Sequence, residues 1–92
     1  MGLVNADQIE EFLTETPRWA LSGKEIARTF SFDDFDGSMA FVNRVAEAAE
    51  AADHHPDIDI RWNRVTLTLS THSEGGLTSK DLDLARDIER LA

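Results

Sequence analysis

Residues 57–70, DIDIRWNRVTLTLS, are the most informative stretch for the architecture because apolar and polar side chains alternate in two successive runs. Alternation with a period of two is typical of a strand with one buried and one wet face. The apolar positions are Ile58, Ile60, Trp62, Val65, Leu67 and Leu69. Between the runs, Asn63-Arg64 is short enough for a two-residue loop, and Asn tolerates the positive φ that such turns require. The stretch predicts a β-hairpin.

A long helix is predicted directly before this hairpin, and Pro56 ends it at or just before His55. Asp33 is predicted to cap its start, with Asp36 placed favourably in the helix dipole. Apolar side chains recur at helical spacing at Met39, Val42, Val45, Ala46 and Ala49. The small alanines would also let a helix of a partner subunit approach closely.

The N-terminal part of the chain predicts a helix and a second strand pair. Asn5 and Gln8 have the spacing of a capping box, and Pro17 ends the helix that they open. Residues 19–21 form a short strand, and Ser22-Gly23 forms a turn. The next strand has Ile26, Arg28, Phe30 and Phe32 on one face. The charged Arg28 on this face indicates a position near an edge of the sheet.

The C-terminal part of the chain predicts a third helix after a Gly75-Gly76 loop. Thr78 caps this helix, and Asp81 occupies its third position. Leu77 can pack against Leu82 as a hydrophobic staple. The apolar stripe of the helix consists of Leu84, Ile88 and Leu91, with Ala85 beside it.

Together these elements predict the order α-β-β-α-β-β-α within a single domain, residues 1–92. Strands joined by tight turns favour a four-stranded, mainly antiparallel sheet with helices packed on one face, an α+β fold. The connection through the second helix leaves open whether one pair of strands is parallel.

Composition removes several functional classes. The chain has 92 residues and a formal net charge of −9, and this field opposes direct binding to nucleic acid. The absence of cysteine excludes thiol nucleophiles, redox pairs and disulfides. No apolar run is long enough for a membrane span, and the N-terminus does not resemble a secretory signal. We therefore expect a cytoplasmic protein.

Candidate chemistry is concentrated in the three histidines, His54, His55 and His72. Glu50 lies one helical turn before His54, so both can share a face near the helix end, and Asp53 directly precedes the pair. Imidazoles beside carboxylates suit proton transfer, because histidine titrates near neutral pH and a carboxylate selects its tautomer.

Composition alone leaves two other interpretations open. A His-His pair at a helix C-terminus can simply complement the dipole and bond free carbonyls. The histidines with Glu50 could instead form a metal site of the kind with two histidines and one carboxylate. Adjacent histidines on a helix point about 100° apart, however, which makes chelation by both awkward.

The whole string resembles the signature of the pterin-4a-carbinolamine dehydratase family. The matching residues are Glu50, Asp53-His54-His55-Pro56, Trp62, Leu69-Ser70-Thr71-His72, Gly76-Leu77-Thr78 and Asp81. Trp19 and the segment of residues 30–35, FSFDDF, are similar to the family as well. The predicted order of helices and strands agrees over essentially the whole length.

The resemblance implies dehydration of a 4a-hydroxytetrahydropterin to a quinonoid dihydropterin, a step of tetrahydropterin recycling for aromatic amino-acid hydroxylation. The reaction needs a general acid and a general base held against the substrate, and it implies neither a metal nor an organic cofactor.

The resemblance also implies roles for individual residues. His54 and His72 correspond to the acid-base histidines, and His55 to a neighbouring residue that holds the substrate. Glu50 and Asp81 would orient the imidazoles. Asp53, Ser70-Thr71 and Ser73 would line the pterin pocket. One departure is that Ser73-Glu74 follows His72, where the family commonly has an acidic residue directly after the histidine.

Two further expectations concern partners. Family members form homodimers and homotetramers through edge-strand pairing and packing of the long helix. Some relatives bind a transcription factor or assist the assembly of larger enzymes, so a non-catalytic scaffold is the alternative function.

Overall fold

A computed structural model describes residues 2–92. Three α-helices and four strands follow one another in the predicted order, and a 3-10 turn that the sequence did not predict precedes the third helix. They are α1 (Ala6–Glu15), β1 (Ala20–Ser22), β2 (Glu25–Ser31), α2 (Phe35–Ala52), β3 (Asp57–Arg61), β4 (Arg64–Leu69), η1 (His72–Glu74) and α3 (Ser79–Glu89). Asn5 with Gln8 and Thr78 with Asp81 form the two predicted capping boxes, so the helix starts at both ends of the chain are confirmed.

The four strands form one sheet in the order β1-β2-β4-β3. Every neighbouring pair is antiparallel, so the connection through α2 does not create a pair of parallel neighbours. β2 and β3 run in the same direction, but β4 lies between them, because α2 carries the chain across the sheet and the hairpin then brings β4 back into the gap.

The core lies between the three helices and one face of the sheet. Strand side chains that point towards the helices are Ile26 and Phe30 of β2 and Val65, Leu67 and Leu69 of β4, and all are buried. Phe12, Phe41, Val45, Leu84 and Ile88 cover them from the helices and are also fully or almost fully buried. The opposite face of the sheet is polar, and there Thr29 hydrogen-bonds Thr66 across β2 and β4.

Arg28 lies where β2 has only one neighbour, because β1 pairs with residues 25–27 alone. Its guanidinium lies 4.1 Å from the centre of the Phe30 ring and forms an ion pair with Glu89. The predicted position of Arg28 near an edge is confirmed.

Four local predictions are wrong. The turn between β1 and β2 is Gly23-Lys24 and not Ser22-Gly23, because Ser22 belongs to β1 and pairs with Glu25. Asp34, not Asp33, caps α2, because its side chain accepts the N–H of Gly37. Ala46 is exposed, since the buried face of α2 follows Ser38, Phe41, Val45 and Ala49.

The turn between β3 and β4 is the fourth correction. It consists of Trp62-Asn63, with Arg61 paired to Arg64, and the positive φ of 50° falls on Trp62. The side-chain amide of Asn63 instead donates to the Phe32 carbonyl at 3.1 Å. This hydrogen bond holds the turn at residues 62–63, one residue earlier than the loop preference of Asn predicts.

β3 is an edge strand whose apolar side chains remain partly in solvent. Ile58 and Ile60 face the helix side, opposite Leu67 and Val65 of β4, yet they are 39% and 37% exposed. Trp62 is 63% exposed. The helix layer covers β2 and β4 and leaves this edge uncovered. No helix within residues 2–92 has the length and apolar character needed to cross a membrane.

Candidate active site

Three chain segments meet at one end of the sheet, and two of them carry predicted site residues. Asp57 pairs with Thr68, and Ile26 pairs with Leu69. The residues before β3, those before β2 and those after β4 therefore share this end. His54 and His55 come from the first segment and His72 from the third, so the topology brings all three histidines to the same end of the sheet.

The end of α2 determines how His54 is presented. Asp53 has left-handed backbone angles (φ 50°, ψ 43°), and its N–H bonds the carbonyls of Ala49 and Glu50. The N–H of His54 then bonds the Ala49 carbonyl at 3.1 Å. This pattern closes the last turn of a helix and reverses the chain, and aspartate tolerates the left-handed angles better than most residues.

A buried carboxylate holds the His54 ring. Nε2 of His54 lies 2.5 Å from Oδ1 of Asp81, which is fully buried. Oδ2 of Asp81 accepts the hydroxyl of Thr71 at 2.7 Å and the N–H of Thr78 at 2.9 Å. The Asp81 carboxylate is thus the shared acceptor for His54, Thr71 and Thr78.

The direction of each hydrogen bond in this network follows from counting protons. Thr71 has one hydroxyl hydrogen, which it donates to Asp81, so the Thr78 hydroxyl donates in the 2.9 Å contact between the two threonines. Thr78 in turn accepts the N–H of Lys80. Since Asp81 accepts, Nε2 of His54 carries the hydrogen, and Nδ1 is the nitrogen left for proton exchange with a ligand.

Glu50 contacts His55 and not His54, which corrects the predicted pairing. The helix ends at Ala52, so the spacing of one helical turn no longer describes His54. Both side chains of the pair are exposed, 57% for His55 and 77% for Glu50, so water screens their interaction.

His72 begins η1 and opens into a cleft of about 420 Å³ that is also lined by Ser22, Lys24, Glu25, Ser70 and Gly75. Its side chain is exposed and makes no hydrogen bond to residues 2–92. His72 is linked to His54 indirectly, through Thr71, which precedes it in the chain and binds Asp81.

The other predicted pocket residues lie around this end of the sheet. The Ser70 hydroxyl donates to the Lys24 carbonyl at 2.8 Å. Asp53, Ser73 and Glu74 are exposed, and Glu74 lies in η1 two residues after His72. Residues 2–92 contain no group of three or more His, Cys, Asp or Glu arranged to hold a metal ion.

Sequence reasoning missed Lys24 and Glu25, which form a wall of the His72 cleft. The signal that could have found them is strand pairing. Pairing β2 with β4 from their sequence patterns would place the β1–β2 turn beside Ser70 and Thr71.

Fold and site together define a small α+β protein with a histidine-carboxylate site at the end of an antiparallel sheet. The chain belongs to the pterin 4 alpha carbinolamine dehydratase family, whose sequence profile matches residues 2–91.

Two relatives are provisionally named pterin-4-alpha-carbinolamine dehydratases. A protein of Nocardia farcinica is 58% identical over 90 residues, which cover 98% of this chain and 95% of the relative. A protein of Acidobacterium capsulatum is 56% identical over 91 residues, which cover 99% of each chain.

Two solved structures have a similar fold. A protein of Brucella melitensis described as a transcriptional coactivator/pterin dehydratase superposes with a TM-score of 0.93 at 34% identity over 99% of both chains. A pterin dehydratase-like protein described as a RuBisCO assembly factor of the alpha-carboxysome superposes with a TM-score of 0.66 at 22% identity. That alignment covers 82% of this chain and 87% of the other, and it shows a shared fold alone.

Proposed function

We propose that this protein catalyses the dehydration of a 4a-hydroxytetrahydropterin to a quinonoid dihydropterin, as a cytoplasmic step of tetrahydropterin recycling for aromatic amino-acid hydroxylation. His54 and His72 act as the general acid and the general base, and neither a metal nor an organic cofactor takes part. Membership of the family supports the substrate class. The observation that carries the proposal is the buried Asp81, which orients His54 through Nε2.

The chemistry requires two proton transfers. The C4a–O bond breaks, and the oxygen leaves as water once an imidazolium has protonated it. An imidazole removes the proton from N5, and the C4a–N5 double bond forms with the electrons of that N–H bond. The sum is loss of one water with no net oxidation. Positioned acid-base groups contribute about 10²–10⁴-fold to a rate.

The remaining predicted residues have supporting roles in this proposal. His55, with its carboxylate partner Glu50, holds the substrate. Asp53, Ser70, Thr71 and Ser73 complete the pocket around His72, with Glu74 in place of the acidic residue that the family commonly has directly after this histidine.

The test is stopped-flow decay of a 4a-carbinolamine with wild-type protein and with His72→Ala. The His72 side chain makes no hydrogen bond within the described residues, so its removal changes chemistry and leaves folding intact. We expect the variant to lose about 10²–10⁴-fold of the enzymatic acceleration. Asn43→Ala, another exposed polar position, is the control and keeps the full rate. Full activity in His72→Ala, or no acceleration by folded wild type, refutes the proposal.

A scaffold or assembly role is the second candidate, favoured by the apolar β3 edge. Ile58, Ile60 and Trp62 are all more than a third exposed. Burying such side chains gains about 25 cal/mol per Å². Self-association as a homodimer or homotetramer is the first use that we propose for this edge. The scaffold role would be favoured if the wild-type protein forms an oligomer in solution but does not accelerate dehydration.

A further inference from the structure

The β1–β2 turn forms one wall of the cleft into which His72 opens. The cleft holds about 420 Å³, within the range of pockets that bind small molecules. Gly23 supplies the positive φ of 61° that shapes the turn. The Ser70 hydroxyl bonds the Lys24 carbonyl, which ties the turn to the end of β4. This wall is therefore held in a fixed position relative to Ser70 and, two residues on, to His72.

Two side chains of opposite charge, Lys24 and Glu25, lie in this wall. Among residues 2–92, neither the Lys24 ammonium nor the Glu25 carboxylate forms a side-chain hydrogen bond or an ion pair, with each other or with any other residue. Glu25 pairs with Ser22 in the β1–β2 ladder, so both project from the same face of the sheet into the cleft. The wall thus offers an acceptor pair, a cationic donor and a hydroxyl beside the imidazole of His72.

A pterin ring carries complementary groups along one edge. Its 2-amino group and N3–H are two neighbouring donors, which match the two oxygens of a carboxylate in the way a guanidinium does. The C4 carbonyl follows as an acceptor, and N5 and C4a lie next to it. We propose that Glu25 binds the 2-amino and N3–H edge, that Lys24 donates to the C4 carbonyl, and that these contacts set the specificity of the site for pterins. This inference rests on the proposed function for its ligand class.

The test compares two fluorescent ligands that differ at one position. 6-Methylpterin carries the 2-amino group, whereas 6-methyllumazine carries an oxygen there and turns a donor into an acceptor. We expect wild-type protein to prefer the pterin by about 10–100-fold in Kd, the range for one or two charge-assisted hydrogen bonds. Glu25→Gln presents an amide instead of a carboxylate and should bring the ratio close to one. Lys24→Met should weaken both ligands equally, because both keep the C4 carbonyl.

Glu47→Gln on the exposed side of α2 is the matched control and should keep the wild-type preference. Circular dichroism shows whether each variant folds. In the dehydration assay, Glu25→Gln should raise KM more than it lowers kcat, because the contact is made in the ground state and in the transition state alike.

The outcomes separate this inference from the proposed function. Acceleration by wild type with an unchanged ligand preference in Glu25→Gln overturns the inference and leaves the dehydratase intact. Preference that depends on Glu25 without acceleration supports the inference and refutes catalysis. Wild-type protein that binds neither ligand, or both equally, overturns the inference.

Discussion

Replacement of Asp81 by asparagine should change the tautomer of His54 while keeping the shape of the site. In the Asp81→Asn variant, the new amide oxygen can still accept from Thr71 and Thr78. The NH2 group of the amide then faces Nε2 of His54, which must become an acceptor, so the ring hydrogen moves to Nδ1. The nitrogen that we assign to proton exchange is then blocked.

The expected loss of stability follows from the three hydrogen bonds to this carboxylate. Bonds to a charged group contribute about 1.5–3 kcal/mol and neutral ones about 0.5–1.5 kcal/mol, a difference of about 1 kcal/mol per bond. Asp81→Asn should therefore lower the free energy of unfolding by about 3 kcal/mol. A domain of this length has roughly 5–14 kcal/mol, so the variant should still fold.

Three measurements check this prediction. Urea denaturation gives the free energy of unfolding, ¹⁵N NMR of His54 gives its tautomer, and stopped-flow gives a kcat that we expect to fall about 10²–10⁴-fold. Asp83→Asn, at an exposed site on the same helix, is the control and should stay within about 0.5 kcal/mol of wild type. The role assigned to Asp81 is wrong if Asp81→Asn unfolds like the control, or if His54 keeps its hydrogen on Nε2.

Three further variants probe the fold and the outer part of the site. Val45→Asp places a charge at a fully buried position and should abolish cooperative unfolding. Ala46→Asp, at the exposed neighbouring position, is the control and should leave the secondary structure unchanged. Equal circular dichroism spectra of the two variants would contradict the assigned helix face. Trp62→Asn puts a residue that tolerates a positive φ at the hairpin turn. The free energy of unfolding should stay equal or rise by at most about 1 kcal/mol, and the thermal midpoint should follow it. A clear drop in the midpoint would show that the exposed indole contributes packing. Glu50→Gln removes an exposed contact with His55 and should change the free energy of unfolding, measured by urea titration, by less than about 1 kcal/mol. A larger loss would mean that this pair stabilises the fold.

The order of elements could be read from the sequence because each signal acts over a few residues. A capping box needs only Asn5 and Gln8, or Thr78 and Asp81, three positions apart. Alternation over residues 57–70 predicted both strands of the hairpin, and the family signature singled out His54, His55 and His72.

Two errors of prediction arise where the tertiary structure overrides a local preference. The turn falls on Trp62 because Asn63 bonds Phe32, which is 31 positions away. Ile58 and Ile60 have the sequence pattern of a buried face, yet they remain partly exposed because the helices cover only β2 and β4.

The three helices and four strands, their order, the family and the histidines to examine could be inferred from the chain of amino acids alone. Which groups meet became known only from the folded arrangement: His54 with Asp81 across 27 positions, Glu50 with His55, and the β1–β2 turn with Ser70. The difference arises because capping, helix periodicity and strand alternation depend on near neighbours. The pairing of an imidazole with a buried carboxylate depends instead on strand register and on the left-handed turn at Asp53, which redirects the chain after α2.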